Sequence, residues 1–429
     1  MEGLIKSKQS DLQYGFTKGV DFKGCTVLRE TAVNYNTAKG EMTMILAVDV
    51  NNAFSRTQRE YQLYELWKSG ACGREYSRII LEHQGSEQGG KLSAGDFVVY
   101  NSSWSRIIEA VEIGLKVEGY FYGAFECADD SLSCTTSIVE LIAVTLIYEY
   151  FRQEYDVQFA YSKCMLNVFN DDKVKKLLQE EDLFTIGGHK PLFDESSLHL
   201  GIMMTEKLDE LGDITVEHRM TQTKKKIFMS FTPNISNHTS LPFRYLQKLY
   251  SSFYKGCMTG WLNAIRLKVK DMNKIMNFEK KLIREYFGLR KNSHIITPYL
   301  LLGLEPVENN IDKEVLSLFY NIWRNSTNPV FKICKGILEK NLKGNYWIWT
   351  IEEILKKLKL PSCLELMKRE PPPKENGREK ADNKAIINAK FVSRRLGDEW
   401  KSQQNDKILK DTKRSSSNKG SSKDANWRN

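Results

Sequence analysis

The chain of 429 residues carries 63 Lys+Arg against 54 Asp+Glu, a formal net charge of +9, with 41% hydrophobic and 11% aromatic residues. Such a composition builds a sizeable core, roughly two or three domains. It offers no apolar run near the ~18 residues of a membrane span, and the opening MEGLIKSKQSD lacks the apolar centre of a secretion signal.

The eight cysteines are scattered, with no C-x-x-C pair and no Cys/His zinc spacing. They read as reduced thiols in an intracellular protein, nuclear or cytoplasmic. Charge is unevenly placed. From Lys368 onward there are 17 Lys+Arg and 9 Asp+Glu, so nearly all the net charge sits in the last stretch. A basic tail suits a polyanion partner, or is simply a solvated end.

In chain order, residues 1–40 are polar, with CTVLRETAVNYNTAKG predicted as a helix ending at Gly40. EMTMILAVDV, Glu41 to Val50, is an apolar run of strand length with Asp49 at its end. Asn51 to Gly70 looks helical, and Gln84 to Gly95 is a glycine-rich loop. Apolar residues at Phe97, Tyr100, Trp104, Ile107, Ile108, Val111 and Leu115 have helical spacing.

Tyr120 to Cys127 then reads as a strand and Ser131 to Thr135 as its return, with Asp129 and Asp130 between them. Ser137 to Gln153 is a second long helix, followed by strands at Val157–Ala160 and Met165–Phe169, with Lys163 in the turn between them. His189 and His199 fall in turn regions with no expected ligand role.

The order strand, helix, hairpin, helix, strand is a split β-α-β arrangement: an α+β fold with a small antiparallel sheet and helices on one face. It brings the end of the first strand beside the hairpin tip, so that Asp49 stands near Asp129 and Asp130. Adjacent carboxylates repel and raise one another's pKa, and a divalent cation removes that cost. A plain Asp-Asp turn, or an RNA-binding or ferredoxin-like module with incidental acids, fits the same pattern.

Six segments, in order, carry a resemblance: LQYGFTKG, AVDVNNAFSR, SEQGGKLSAGDF, FECADD, AYSKCMLNVF and SSLHLGIMM. Together they resemble the reverse transcriptases of non-LTR (LINE-type) retrotransposons, over residues 12 to 204. The resemblance implies a right-hand polymerase palm followed by an all-helical thumb and C-terminal region. Asp49, Asp129 and Asp130 match the metal-binding carboxylates for two Mg²⁺ ions, with Mn²⁺ as a substitute. Lys163 matches the lysine that protonates leaving pyrophosphate.

On the same basis Phe54 matches the steric gate against a 2′-hydroxyl. Val50, Gln88 and Gly89 match the nucleotide-binding positions, and Leu200 and Gly201 the primer grip. The implied partners are an RNA template, a DNA primer and dNTPs, with no membrane. Implied domains are a fingers remnant (1–40), the palm (41–204), a helical thumb and C-terminal helical domain (205–365) and a basic disordered tail (366–429). Cys127, Ala94 and Ser55 depart from the family pattern, which has an aromatic, a proline and an aspartate there. The short stretch before Leu12 leaves most of the fingers and any endonuclease domain outside the chain. A catalytically inactive remnant that only binds nucleic acid is therefore the alternative expectation.

After the core, helices are predicted at Met220–Ser230, Tyr245–Gly256, Asn263–Phe287, Lys313–Arg324, Val330–Leu342 and Ile351–Leu358. Trp347 and Trp349, in NYWIWTI, are either strand or core residues or stacking surfaces for bases.

Overall fold

The computed structural model describes residues 12–14, 22–51, 59–68, 70, 93–127, 130–193, 196–230, 243–290, 299, 304–325 and 328–369. Helix α1 (Phe22–Ala38) is buried along nearly its whole length, Gly24 through Asn36. Its two buried asparagines are tolerated there because they find partners: Asn34 Nδ2 donates to the Glu30 carbonyl at 2.7 Å, and Asn36 Nδ2 to Thr43 Oγ1 at 2.8 Å. The helix stops just before Gly40, whose φ of +77° suits the left-handed end of a helix.

Strand β1 (Thr43–Asp49) is followed by helices α2 (Arg59–Lys68) and α3 (Ser93–Val111). The predicted single strand from Tyr120 is two. A short hairpin, β2 (Lys116–Val117) with β3 (Tyr120–Phe121), precedes β4 (Ala124–Cys127). Gly123 makes the break possible, since a Cβ there would lie 2.5 Å from the Ile113 carbonyl. Then follow β5 (Asp130–Thr135), α4 (Ile138–Glu154), β6 (Met165–Phe169) and α5 (Asp172–Glu180). α4 is capped by Ser137, whose hydroxyl accepts from the Glu140 N–H.

No strand forms at Val157–Ala160. The segment pairs with the sheet through a bridge between Phe159 and Val50, then tightens into a 3₁₀ turn at Tyr161–Lys163. That turn consumes the residues that a ladder would have needed.

The main sheet has the order β4-β5-β1-β6, all antiparallel. Alternate residues of β1 serve two cores. Met44, Leu46 and Val48 pack with Trp104, Leu141 and Tyr148 of α3 and α4. Ile45 and Ala47 pack with Cys25, Leu28 and Val33 of α1. The sheet is thus covered on both faces, not on one as the sequence pattern suggested. The apolar run TMILAV, with no polar alternation, is the mark of a strand buried on both sides.

A separate hairpin, β7 (Ser196–His199) with β8 (Ile202–Thr205), leads into α6 (Leu211–Ser230). Helices α7 (Phe243–Leu249), a π turn at Tyr250–Tyr254, α8 (Lys255–Thr259), α9 (Val269–Tyr286), α10 (Val307–Arg324), α11 (Pro329–Glu339), α12 (Ile348–Lys357) and α13 (Cys363–Met367) complete the described chain. Most start earlier than predicted, α6 by nine residues, while α9 starts six residues later. The second core continues from α1 into these helices through Val315, Ile337 and Ile351.

Trp347 lies in that core, and its indole N–H donates to the Asn263 carbonyl at 2.7 Å. Trp349 is half-buried against it, at the start of a helix rather than in a strand. The architecture is α+β. Among the described residues, no helix is long and apolar enough to cross a membrane.

Candidate active site

Asp49 closes β1 and Asp130 opens β5, and the two are direct cross-strand partners. Side chains at such positions have Cβ atoms about 4.5–5.5 Å apart, and like charges there repel. Part of the repulsion is relieved by Lys163, whose ammonium donates to Asp49 Oδ2. Lys163 is held in place by the 3₁₀ turn: the Ala160 N–H donates to the Asp49 carbonyl at 2.8 Å, and the Lys163 N–H to the Ala160 carbonyl at 2.8 Å. The lysine side chain is 69% exposed and that of Asp49 17%, so the pair is accessible from solvent.

Cys127 pairs with Asp130 across the β4–β5 hairpin. Asp129, Phe54, Gln88 and Gly89 lie outside the described residues. Val50 is half-buried and bridges to Phe159 beside Asp49.

Leu200 and Gly201 form the two-residue turn of the β7–β8 hairpin, between the partners His199 and Ile202. Both have positive φ, +50° and +78°, the signature of the primed turns that match strand twist. Gly201 is packed under Trp261, and a Cβ there would lie 2.6 Å from the Trp261 Nε1. Arg219 of α6 donates from Nη2 to the Gly201 carbonyl. The turn is therefore fixed from the helical side.

One cleft of about 350 Å³ gathers Asp49, Asp130 and Lys163 on one wall and Ser197, His199, Leu200 and Gly201 on the other. Asp49 and Ser197 are 148 positions apart in the sequence, Asp130 and Lys163 fewer, and the fold brings all of them to one cleft. A larger depression of about 460 Å³, between Arg266, Trp349, Glu353 and Lys356, lies on the C-terminal helices. Its arginine is already paired to Glu353, and the carboxylate pair is elsewhere.

Sequence reasoning missed Ser197 and His199. His199 is not in a turn but ends β7, 7% exposed, with Nδ1 3.0 Å from Arg29 Nη1 of α1. Burial, and then the charge of Arg29, holds its pKa well below the usual histidine value. The available signal was the alternation in SSLH, which puts Ser197 and His199 on one face of a strand.

Behind the hairpin, Glu126 is fully buried, accepting from Gln13 Nε2 at 2.9 Å and from Ser102 Oγ at 3.4 Å. Burial raises its pKa well above the usual carboxylate range. Leu12 to Tyr14 runs along β4, with the Tyr14 N–H donating to the Glu126 carbonyl at 2.7 Å. The upstream LQY segment thus braces the strand that leads to the carboxylates. Burial also pushes the Cys127 thiol up, so it stays a neutral packing group next to Asp130.

The donor set suits a hard cation. Asp49 and Asp130 present carboxylate oxygens side by side, the ligands that magnesium prefers. Among the described residues no group of three His, Cys, Asp or Glu side chains converges on a metal position, and Asp129 stands outside that set.

No protein-family model matches the chain, and no curated protein matches it. Among solved structures, the chain is similar to telomerase from Candida albicans, determined in complex with a TWJ fragment of telomeric RNA, at 10% identity and a TM-score of 0.33. The match covers 66% of this chain and 52% of that one, so the chain spans about half the length of that telomerase. A likeness so distant assigns no activity.

Proposed function

We propose that this chain is the core of an RNA-directed DNA polymerase of the non-LTR retrotransposon type. What carries the reading is the convergence of Asp49, Asp130 and Lys163 on the cleft that the Leu200–Gly201 turn closes from the other side. Residues 41–204 act as the palm, 205–365 as the thumb and C-terminal helical domain, and 366–429 as a basic tail. Asp49 and Asp130, with Asp129, would hold magnesium or manganese, which supplies neutralisation of the triphosphate and a more acidic attacking hydroxyl. Lys163, placed beside Asp49, would hold a proton for the departing pyrophosphate. The Leu200–Gly201 turn seats the primer strand. Phe54 limits the sugar, while Val50, Gln88 and Gly89 contact the nucleotide.

The Asp49–Lys163 ion pair favours a second reading, a remnant that binds nucleic acid without chemistry, since a lysine already satisfies the carboxylate. Extension of oligo(dT) on poly(A) with magnesium tests both. Incorporation that Asp49→Asn abolishes supports the polymerase. Duplex binding without incorporation establishes the remnant.

A further inference from the structure

Arg29 is 1% exposed, and its guanidinium is shared between two neighbours. Nε and Nη2 donate to Glu30 Oε1 at 3.1 and 2.5 Å, while Nη1 lies 3.0 Å from His199 Nδ1. A guanidinium has no acceptor. His199 Nδ1 must therefore be the acceptor, and the ring proton sits on Nε2. That N–H has no hydrogen-bond partner among the described residues, and neither has Ser197 Oγ.

Both side chains are more than nine-tenths buried, at 7% and 6% exposure, and both line the cleft opposite Asp49 and Asp130. Standing two residues apart on β7, they share a face. A buried donor is costly to leave unpaired. Here a buried arginine fixes which nitrogen donates, and His199 and Ser197, whose donor atoms are buried and unpartnered among the described residues, both line the cleft.

We infer that His199 Nε2–H, assisted by the Ser197 hydroxyl, is a donor pair for a phosphate oxygen of the strand whose 3′ end lies at the carboxylates. The inference rests on the polymerase reading of this cleft. A strand that offers its terminal hydroxyl to Asp49 and Asp130 presents its last phosphodiester to the opposite wall. There the donors meet an acceptor that is charged and lacks protons, the best match for two donors. Arg29 is the positioning residue: it sets the tautomer without reaching the ligand.

The test uses the full chain and a template–primer duplex whose last primer linkage is either phosphodiester or uncharged methylphosphonate, with affinity read by fluorescence anisotropy. His199→Asn keeps an acceptor for Arg29 at the position of Nδ1 and removes the Nε2 donor. The expected result is a roughly tenfold weaker affinity for the phosphodiester duplex, a similar loss for wild type on methylphosphonate, and no further loss when the two are combined. Ser197→Ala, which deletes one hydroxyl, gives a smaller loss with the same dependence on the linkage, and serves if His199→Asn folds poorly.

Equal affinity of variant and wild type, or losses that add, overturns the inference. So does a variant that weakens inorganic triphosphate binding while leaving the duplex unaffected. If wild type binds the duplex and shows cation-dependent stabilisation but the variants match it, only this inference falls. If wild type binds neither duplex nor cation, the polymerase reading falls with it.

Discussion

Asp49 and Asp130 face each other directly across the β1–β5 ladder, one at the end of its strand and the other at the start. Each is placed by a strand whose remaining residues are almost wholly buried, so neither carboxylate can drift away to relax the repulsion. The Lys163 ammonium, donating to Asp49, offsets part of that repulsion, and on the proposed reading a divalent cation would offset it further.

The first prediction follows from that placement. Millimolar Mn²⁺ or Mg²⁺ should raise the melting temperature, because a ligand bound only by the folded state stabilises it, by about 2.7 kcal/mol at 100 times Kd. Asp130→Asn should remove the shift. Lys163→Gln should enlarge it, since the competing ammonium is gone. An identical shift in wild type and Asp130→Asn would show that the cation binds elsewhere.

The β7–β8 turn gives the second. Gly201→Ala introduces a Cβ 2.6 Å from the Trp261 ring at a φ of +78°. Left-handed strain and overpacking each cost on the order of 1–3 kcal/mol, so the urea midpoint should drop by that scale. Leu200 sits at a φ of +50° with its side chain half-buried against the core, so Leu200→Gly relieves left-handed strain while removing that packing, and its midpoint should fall less than that of Gly201→Ala. Midpoints that leave Gly201→Ala unchanged would mean that Trp261 does not hold the turn.

Much of this site was legible because its signals are local. A strand-end aspartate at Asp49 and a hairpin return through Asp130 each occupy a few consecutive residues, whereas Lys163, Leu200 and Gly201 were marked only through the resemblance. Strand β6 and the bounds of α4 were legible for the same reason, with apolar spacing and a Ser137 cap in plain view. What the sequence hid was long-range. Arg29 and His199 are 170 positions apart, and neither residue alone hints at the other. The helix over the second face of the sheet was hidden as well, because α1 is buried with Arg29, Glu30, Asn34 and Asn36 along it. Its polar residues look like a solvated face until their partners are known.

The third prediction concerns pH, and two buried groups act in opposite senses. Glu126 has a folded pKa raised above its unfolded value, near 4.3. The folded state then holds a proton that the unfolded chain has lost, so this contribution shrinks as pH rises from about 4.3 through the raised value. His199 has a folded pKa depressed below its unfolded value, near 6.5. There the unfolded chain binds the proton, and stability falls as pH drops below about 6.5. Glu126→Gln should flatten the loss of stability as pH rises above about 4.3, and His199→Asn should flatten the loss as pH drops below about 6.5. Each slope approaches about 1.4 kcal/mol per pH unit when one proton is at stake. Denaturation midpoints across this range decide it, and an unchanged profile in Glu126→Gln would mean that its carboxylate is not what titrates.

The last prediction concerns the basic end of the chain. From Lys368 onward, 17 Lys+Arg stand among 9 Asp+Glu, leaving the preceding residues close to neutral. Attraction to a phosphate backbone works by releasing counterions, so the logarithm of affinity falls with the logarithm of salt, by roughly 0.7–0.9 per phosphate neutralised. The interspersed acids keep many of those cations from contributing. Arg394-Arg395 and Lys413-Arg414 are the densest pairs, so a slope equivalent to a few phosphates is expected from this segment. Ending the chain at Lys368 keeps α13 and its buried Met367 intact, so the melting temperature should hold. Binding to a random-sequence RNA or DNA duplex should weaken, and its salt dependence should flatten by the same few units. A truncated chain that binds as tightly and with an unchanged slope would place the affinity in the cleft and the helices around it, and leave the tail as a solvated end.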